Sequence, residues 1–64
     1  MESIKRFRKA KGWLQKDLAE MLGVAKNTVS TWESGERKPD IVTLKRLAEI
    51  FGCTADELLE PIQV

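Results

Sequence analysis

In the stretch GVAKNTVSTWESGE, residues 23–36, the spacing of Asn27, Ser30, Thr31 and Ser34 gathers amides and hydroxyls on one side of a helix, with Lys26 near its start. With Val29 set as the inward direction and about 100° turned per residue, all four point outward. Each can donate and accept hydrogen bonds, which is the chemistry of recognition rather than of bond making. A face left to water is usually filled with Glu, Lys, Gln or Arg, because Asn, Ser and Thr compete for backbone hydrogen bonds and weaken a helix. The bland alternative is a merely solvated polar face. Catalysis fits poorly: the chain has no histidine and one cysteine, and no nucleophile–base pair is evident. Without histidine or a second cysteine, a zinc site would rest on carboxylates, and no such cluster stands out. No catalytic residue, metal ligand, cofactor or small-molecule substrate is therefore expected.

Something must hold this polar face in place. The chain has 64 residues, read as a single domain, 1–64. A domain this small buries only about 60% of its unfolded-chain surface, so its core must be dense. Ile4, Phe7, Trp13, Leu18, Leu22, Val29, Trp32, Leu44, Leu47, Phe51 and Leu58 are the candidates. Their spacing marks five short helices, and nothing alternates with period two. The expected fold class is a compact all-α five-helix bundle.

Helix one carries Ile4 and Phe7 and ends near Lys11, where Gly12 offers a left-handed exit. Helix two, about 15–22, turns Leu18, Ala19 and Leu22 inward and stops at Gly23. Helix three, about 26–34, is closed by Gly35. In the following loop Pro39 pushes Lys38 out of helical geometry. Asp40 is the N-cap of a fourth helix with an apolar stripe of Ile41, Leu44, Leu47, Ala48 and Phe51. Thr54 and Glu57 match a capping box for the fifth, flanked by Cys53 and Leu58 at the staple positions and closed by Pro61. Cys53 thus has a structural role.

Net charge is +1, but it is unevenly spread. Residues 1–38 carry nine basic and five acidic groups, a balance of +4, while residues 39–64 carry two basic and five acidic, a balance of −3. This leaves room for a basic face on the N-terminal part. A single cysteine excludes an internal disulfide and fits a reducing cytoplasm, the expected location. No apolar run approaches the roughly 20 residues that span a bilayer.

Only Gly23, Val24 and Ala25 separate helices two and three, a connection tight enough to force a steep crossing: the helix-turn-helix geometry. Ala19 is small where the helices approach, Gly23 can take a positive φ, and Val24 plugs the turn. With these in place, the stretches KGWLQKDLAEMLGVAKNTVSTWESGERKPD and LKRLAEIFGCTADELL resemble the XRE-type helix-turn-helix family, which includes the lambdoid phage repressors and Cro proteins. The resemblance runs from Ile4 to Leu59. It implies a five-helix fold that binds operator DNA, with helix three in the major groove.

By that resemblance Lys26, Asn27 and Thr31 fall where family repressors place base-reading side chains. Asn27 would pair with adenine, Thr31 would meet a thymine methyl or a base acceptor, and Lys26 would read guanine or bind phosphate. Gln15 matches a position that contacts phosphate and supports the recognition helix. Arg37 and Lys38 match the phosphate-tracking loop, and Thr28, Ser30 and Ser34 complete the backbone-contacting or supporting set. Arg8 and Glu33 match a semi-buried structural ion pair, whereas Lys5, Arg6, Lys9 and Lys11 are expected to coat the outside of helix one. Leu14 and Ala25 stand where the family commonly has hydroxyl caps, each loss costing about 1 kcal/mol.

The expected function is a sequence-specific DNA-binding transcriptional regulator, a repressor, acting as a homodimer on a pseudo-palindromic operator. The apolar Ile62 and Val64 suggest a dimer contact too small to hold strongly off DNA. The rival is the same fold used as a protein-interaction module, such as an antitoxin or coactivator-like domain. Such a surface would show aromatic or aliphatic anchors on helix three, and its outer face has none.

Overall fold

The computed structural model describes residues 1–59. The elements are α1 (Glu2–Ala10), α2 (Gln15–Leu22), α3 (Lys26–Ser34), α4 (Ile41–Phe51) and α5 (Ala55–Leu59). Among the described residues there is no strand. The all-α, five-helix architecture is the one that the apolar spacing anticipates.

Local chemistry sets the helix ends. At α2 the Leu14 side chain cannot cap, but Asp17 reaches back, and its Oδ2 accepts the Leu14 N–H at 2.8 Å. Helix α2 ends at Gly23, which takes φ +72°, while the Val24 N–H donates to the Ala19 carbonyl at 3.0 Å. No atom lies within 4 Å of where a Gly23 Cβ would stand. The glycine is therefore required by its backbone conformation and not by crowding. Asp40 caps α4 by accepting the Thr43 N–H at 2.8 Å, a bond that holds its carboxyl below the usual carboxylate range. At α5, Glu57 accepts the Thr54 N–H at 2.8 Å and Thr54 Oγ1 accepts the Glu57 N–H at 3.2 Å, a complete capping box. Cys53 packs half-buried beside this box. Burial, with the Glu57 charge, pushes its thiol up, away from reactive thiolate.

The core joins all five helices: Ile4, Leu18, Val29, Leu47 and Leu58 are fully buried, with Leu22, Trp32, Leu44 and Phe51 around them. Truncating such a side chain to alanine typically costs about 2–5 kcal/mol. Ser3 is also fully buried and donates from Oγ to the Leu58 carbonyl, tying α1 to α5. The α-amino group of Met1 donates to the Trp32 carbonyl near the end of α3.

Three apolar expectations need correction. Phe7 and Trp13 are half-buried at the edge of the core, where both rings stack on Phe51, with centroids 5.5 and 6.0 Å away. Ile41 shares the angular stripe of α4, yet it is 62% exposed, as Val42 is at 66%. The stripe is buried only from Leu44 onward, because angle gives a side chain a direction but not a neighbour. Pro61, Ile62 and Val64, expected to close the last helix and supply a dimer contact, lie outside the described residues.

Candidate nucleic-acid interface

Helix α3 is fastened by its inner face. Val29 is fully buried and Trp32 5% exposed, while Ala19 at the α2 contact is 3% exposed, so the two helices meet closely behind the Gly23 turn. That turn and those anchors leave Lys26, Asn27, Ser30 and Ser34 exposed. Thr28 and Thr31 are half-buried, so Thr31 is less open than its position on the wheel suggests.

Hydrogen bonding sorts these side chains further. Thr31 Oγ1 donates to the Thr28 carbonyl at 2.8 Å, which leaves its oxygen lone pairs and methyl as contact groups. Ser34 Oγ donates to the Thr31 carbonyl at 3.1 Å and accepts the Glu36 N–H at 3.4 Å, so it helps to close the helix. Ala25 is extended at the N-cap of α3 and offers no side-chain cap, so the first-turn amides of the helix keep their donors without a side-chain acceptor. The loop after α3 turns back onto it, with the Arg37 N–H donating to the Thr31 carbonyl at 3.2 Å. Arg37 and Lys38 are exposed beside the end of α3.

Behind the face lies a buried polar node. Arg8 Nε donates to Glu33 Oε2 at 2.6 Å and Nη2 to Oε1 at 3.1 Å, a bidentate pair whose side chains are 9% and 5% exposed. Arg8 Nη1 also donates to the Trp13 carbonyl at 2.7 Å. Gln15 Nε2 donates to Glu33 Oε1 at 3.0 Å, so Gln15 braces α3 from α2. Burial works to raise the Glu33 carboxyl, but the hydrogen bonds from Arg8 and Gln15 and the Arg8 charge outweigh it, leaving the group below its ordinary value. The pair is semi-buried, as expected: α1, α2 and α3 converge on it and cover most of both side chains, yet both line an open groove.

Two shallow grooves flank this node. One, of about 300 Å³, is lined by Leu14, Lys16 and Lys26 with Gln15 and Arg8. The other, of about 320 Å³, is lined by Lys5 and Lys9 of α1 and Ser30 and Ser34 of α3, with Arg8, Gln15 and Glu33. Lys5 and Lys9 thus border α3, and do not merely coat the outside of α1. Lys5 and Lys9 are four apart and so share one side of α1, but that this side borders α3 follows only from how the helices pack. Among the described residues no helix is long and apolar enough to cross a membrane, and no group of three or more His, Cys, Asp or Glu could hold a metal ion.

Comparison with known proteins agrees with this geometry. The helix-turn-helix family model matches residues 4–58. The HTH-type transcriptional regulator AnsR of Bacillus subtilis is 41% identical over 59 residues, covering 92% of this chain and 51% of that protein. The HTH-type transcriptional activator BcrR of Enterococcus faecalis is 40% identical over 58 residues, 91% of this chain and 28% of its own length. This chain therefore spans about half or less of these two relatives. A shorter relative, the uncharacterized HTH-type transcriptional regulator YazB of Bacillus subtilis, is 34% identical over 58 residues, which are 84% of it and 91% of this chain. A crystal structure of a transcriptional regulator from Listeria innocua superposes with a TM-score of 0.88 at 41% identity, covering 98% of this chain and 59% of that one.

Proposed function

Since this chain belongs to the XRE-type helix-turn-helix family, we propose that it regulates transcription by binding duplex DNA in a sequence-specific manner, with α3 in the major groove. The observation that carries this reading is the exposed face of α3: Lys26, Asn27 and Ser30 open to solvent, without an apolar anchor, on a helix pinned through Val29 and Trp32. Short side chains let the helix backbone approach the bases, and an amide can match the donor–acceptor pair on adenine. Lys26, Asn27 and Thr31 are the base-reading residues. Gln15, Thr28, Ser30, Ser34, Arg37 and Lys38 support the helix or meet the sugar–phosphate backbone.

One helix of 9 residues touches only a few base pairs, so the working form is a homodimer on a pseudo-palindrome. Its half-site centres are about 34–36 Å, or roughly 10 base pairs, apart. The regulator acts in the cytoplasm as a repressor, since occupying an operator is enough to block transcription, whereas activation demands a further contact surface. Selection of bound sequences from a random duplex pool tests the reading. A palindromic consensus with half-sites one turn apart supports it; recovery of unselected sequence refutes it. A reporter placed downstream of that consensus should be silenced, and activation would reverse the assigned direction.

A further inference from the structure

Resting on the reading of α3 as a groove-binding helix, we infer that the α1–α3 groove bordered by Lys5, Lys9, Ser30 and Ser34 is a second contact for the DNA backbone, seating phosphodiesters on the flank of α3 that faces α1. The major groove is about 12 Å wide and a helix with its side chains about 10–12 Å across, so an inserted helix has a phosphate strand on either side. The loop carrying Arg37 and Lys38 is held at the C-terminal end of α3 through the Arg37 N–H and the Thr31 carbonyl. With Val29 inward, Ser30 and Ser34 stand at about 100° and 140° around α3, the flank that turns toward α1. There they share a groove of about 320 Å³ with Lys5 and Lys9.

The charges in that groove do not cancel. Glu33 is its one acidic group, and both of its oxygens are engaged by Arg8, with Gln15 as a further donor. Lys5 lies near enough for its charge to help hold the Glu33 carboxyl down, but among the described residues neither Lys5 nor Lys9 has a hydrogen bond or ion pair of its own. With Arg8 and Glu33 balanced, the groove keeps two exposed ammonium groups one helical turn apart. The Ser30 hydroxyl adds a short donor beside them, while that of Ser34 already donates to the Thr31 carbonyl. Hydroxyls and ammonium groups together are the usual equipment for phosphate oxygens and carry no base information. Lys5 and Lys9 therefore strengthen and orient binding and leave base preference to α3.

The test uses the duplex selected by the wild-type chain and the variant Lys5→Gln/Lys9→Gln, whose exposed substitutions leave the helix folded because Gln and Lys have similar helix propensities. Log affinity against log salt should flatten by about two units, since each phosphate neutralised contributes roughly 0.9. The wild-type advantage over the variant should accordingly shrink about tenfold between 50 and 200 mM salt. Preference for the selected duplex over a scrambled one should be unchanged. Phosphates whose ethylation blocks the wild type at the outer edge of each half-site should no longer matter to the variant. An unchanged slope and ethylation pattern, in a wild type that does bind its duplex, overturns the α1 contact alone. A wild type that binds no duplex overturns the DNA reading itself.

Discussion

Replacing either partner of the Arg8–Glu33 pair should destabilise the fold far more than loss of an ordinary surface ion pair. With side chains 9% and 5% exposed, each group can recover only part of its lost partner from water at the groove it lines. Arg8→Ala removes both donors to Glu33 and the bond to the Trp13 carbonyl, leaving the carboxylate with Gln15 as its remaining side-chain donor. Glu33→Ala strands the guanidinium and the Gln15 amide together. Stranding a buried charge typically costs about 3–5 kcal/mol, against about 0–1 kcal/mol for an exposed pair. At roughly 0.05–0.15 kcal/mol per residue, a chain of this size has about 3–10 kcal/mol of stability in total, so either single variant should lose a large share of it. Urea titration of the two singles and the double variant checks this through the coupling energy. The double should lose much less than the sum of the singles, because it leaves no unpaired charge behind.

Acid titration gives a second reading of the same pair. A carboxyl held lower in the folded chain than in the unfolded one adds stability above its unfolded value, and loses it as pH falls from about 4.5 through the depressed folded value. In Glu33→Gln that component of the acid sensitivity should vanish. A coupling energy of zero, or wild-type acid sensitivity in Glu33→Gln, would refute the account of a buried, charge-paired node.

Ala25→Ser should stabilise the chain by about 1 kcal/mol by capping the first turn of α3, where Ala25 is already extended; denaturant melts measure it, and no gain would mean those amides are satisfied elsewhere. Gly23→Ala should cost about 1–2 kcal/mol, entirely from the left-handed backbone, since its new methyl meets no atom within 4 Å. A thermal melt matching wild type would show that the turn readjusts. Arg37→Ala and Lys38→Ala should each flatten the salt dependence of DNA binding by roughly one unit, with the affinity ratio between selected and scrambled duplex unchanged; a slope untouched by both would return them to ordinary surface charge.

What could be read from the sequence was what depends on neighbours along the chain. The Asp40 cap, the Thr54–Glu57 box and the Gly23 turn each involve residues within one helical turn, so residue type and spacing suffice. The inward set Leu18, Ala19, Leu22, Val29 and Trp32 was legible for the same reason, because a helix repeats its face. The meeting of Arg8 with Glu33 spans 25 positions, and no local pattern requires it; the family resemblance supplied that pairing. Ile41 failed because periodicity fixes the direction of a side chain but not the presence of an element to cover it. The bracing of Glu33 by Gln15 and the groove shared by Lys5 and Lys9 were hidden in the same way. Both depend on where α1 and α2 lie against α3, which is set by packing.

Base readout by α3 is tested most directly by repeating the duplex selection with Asn27→Ala and Thr31→Ala beside the wild type. Each variant should keep its fold, since Asn27 is exposed and the Thr31 side chain bonds only within its own helix. Each should lose about 1–3 kcal/mol of discrimination at its own base pair, symmetrically in both half-sites, while preference at the other positions persists. Consensus sequences and affinities identical to wild type in both variants would contradict the assignment of α3 as the helix that reads the DNA.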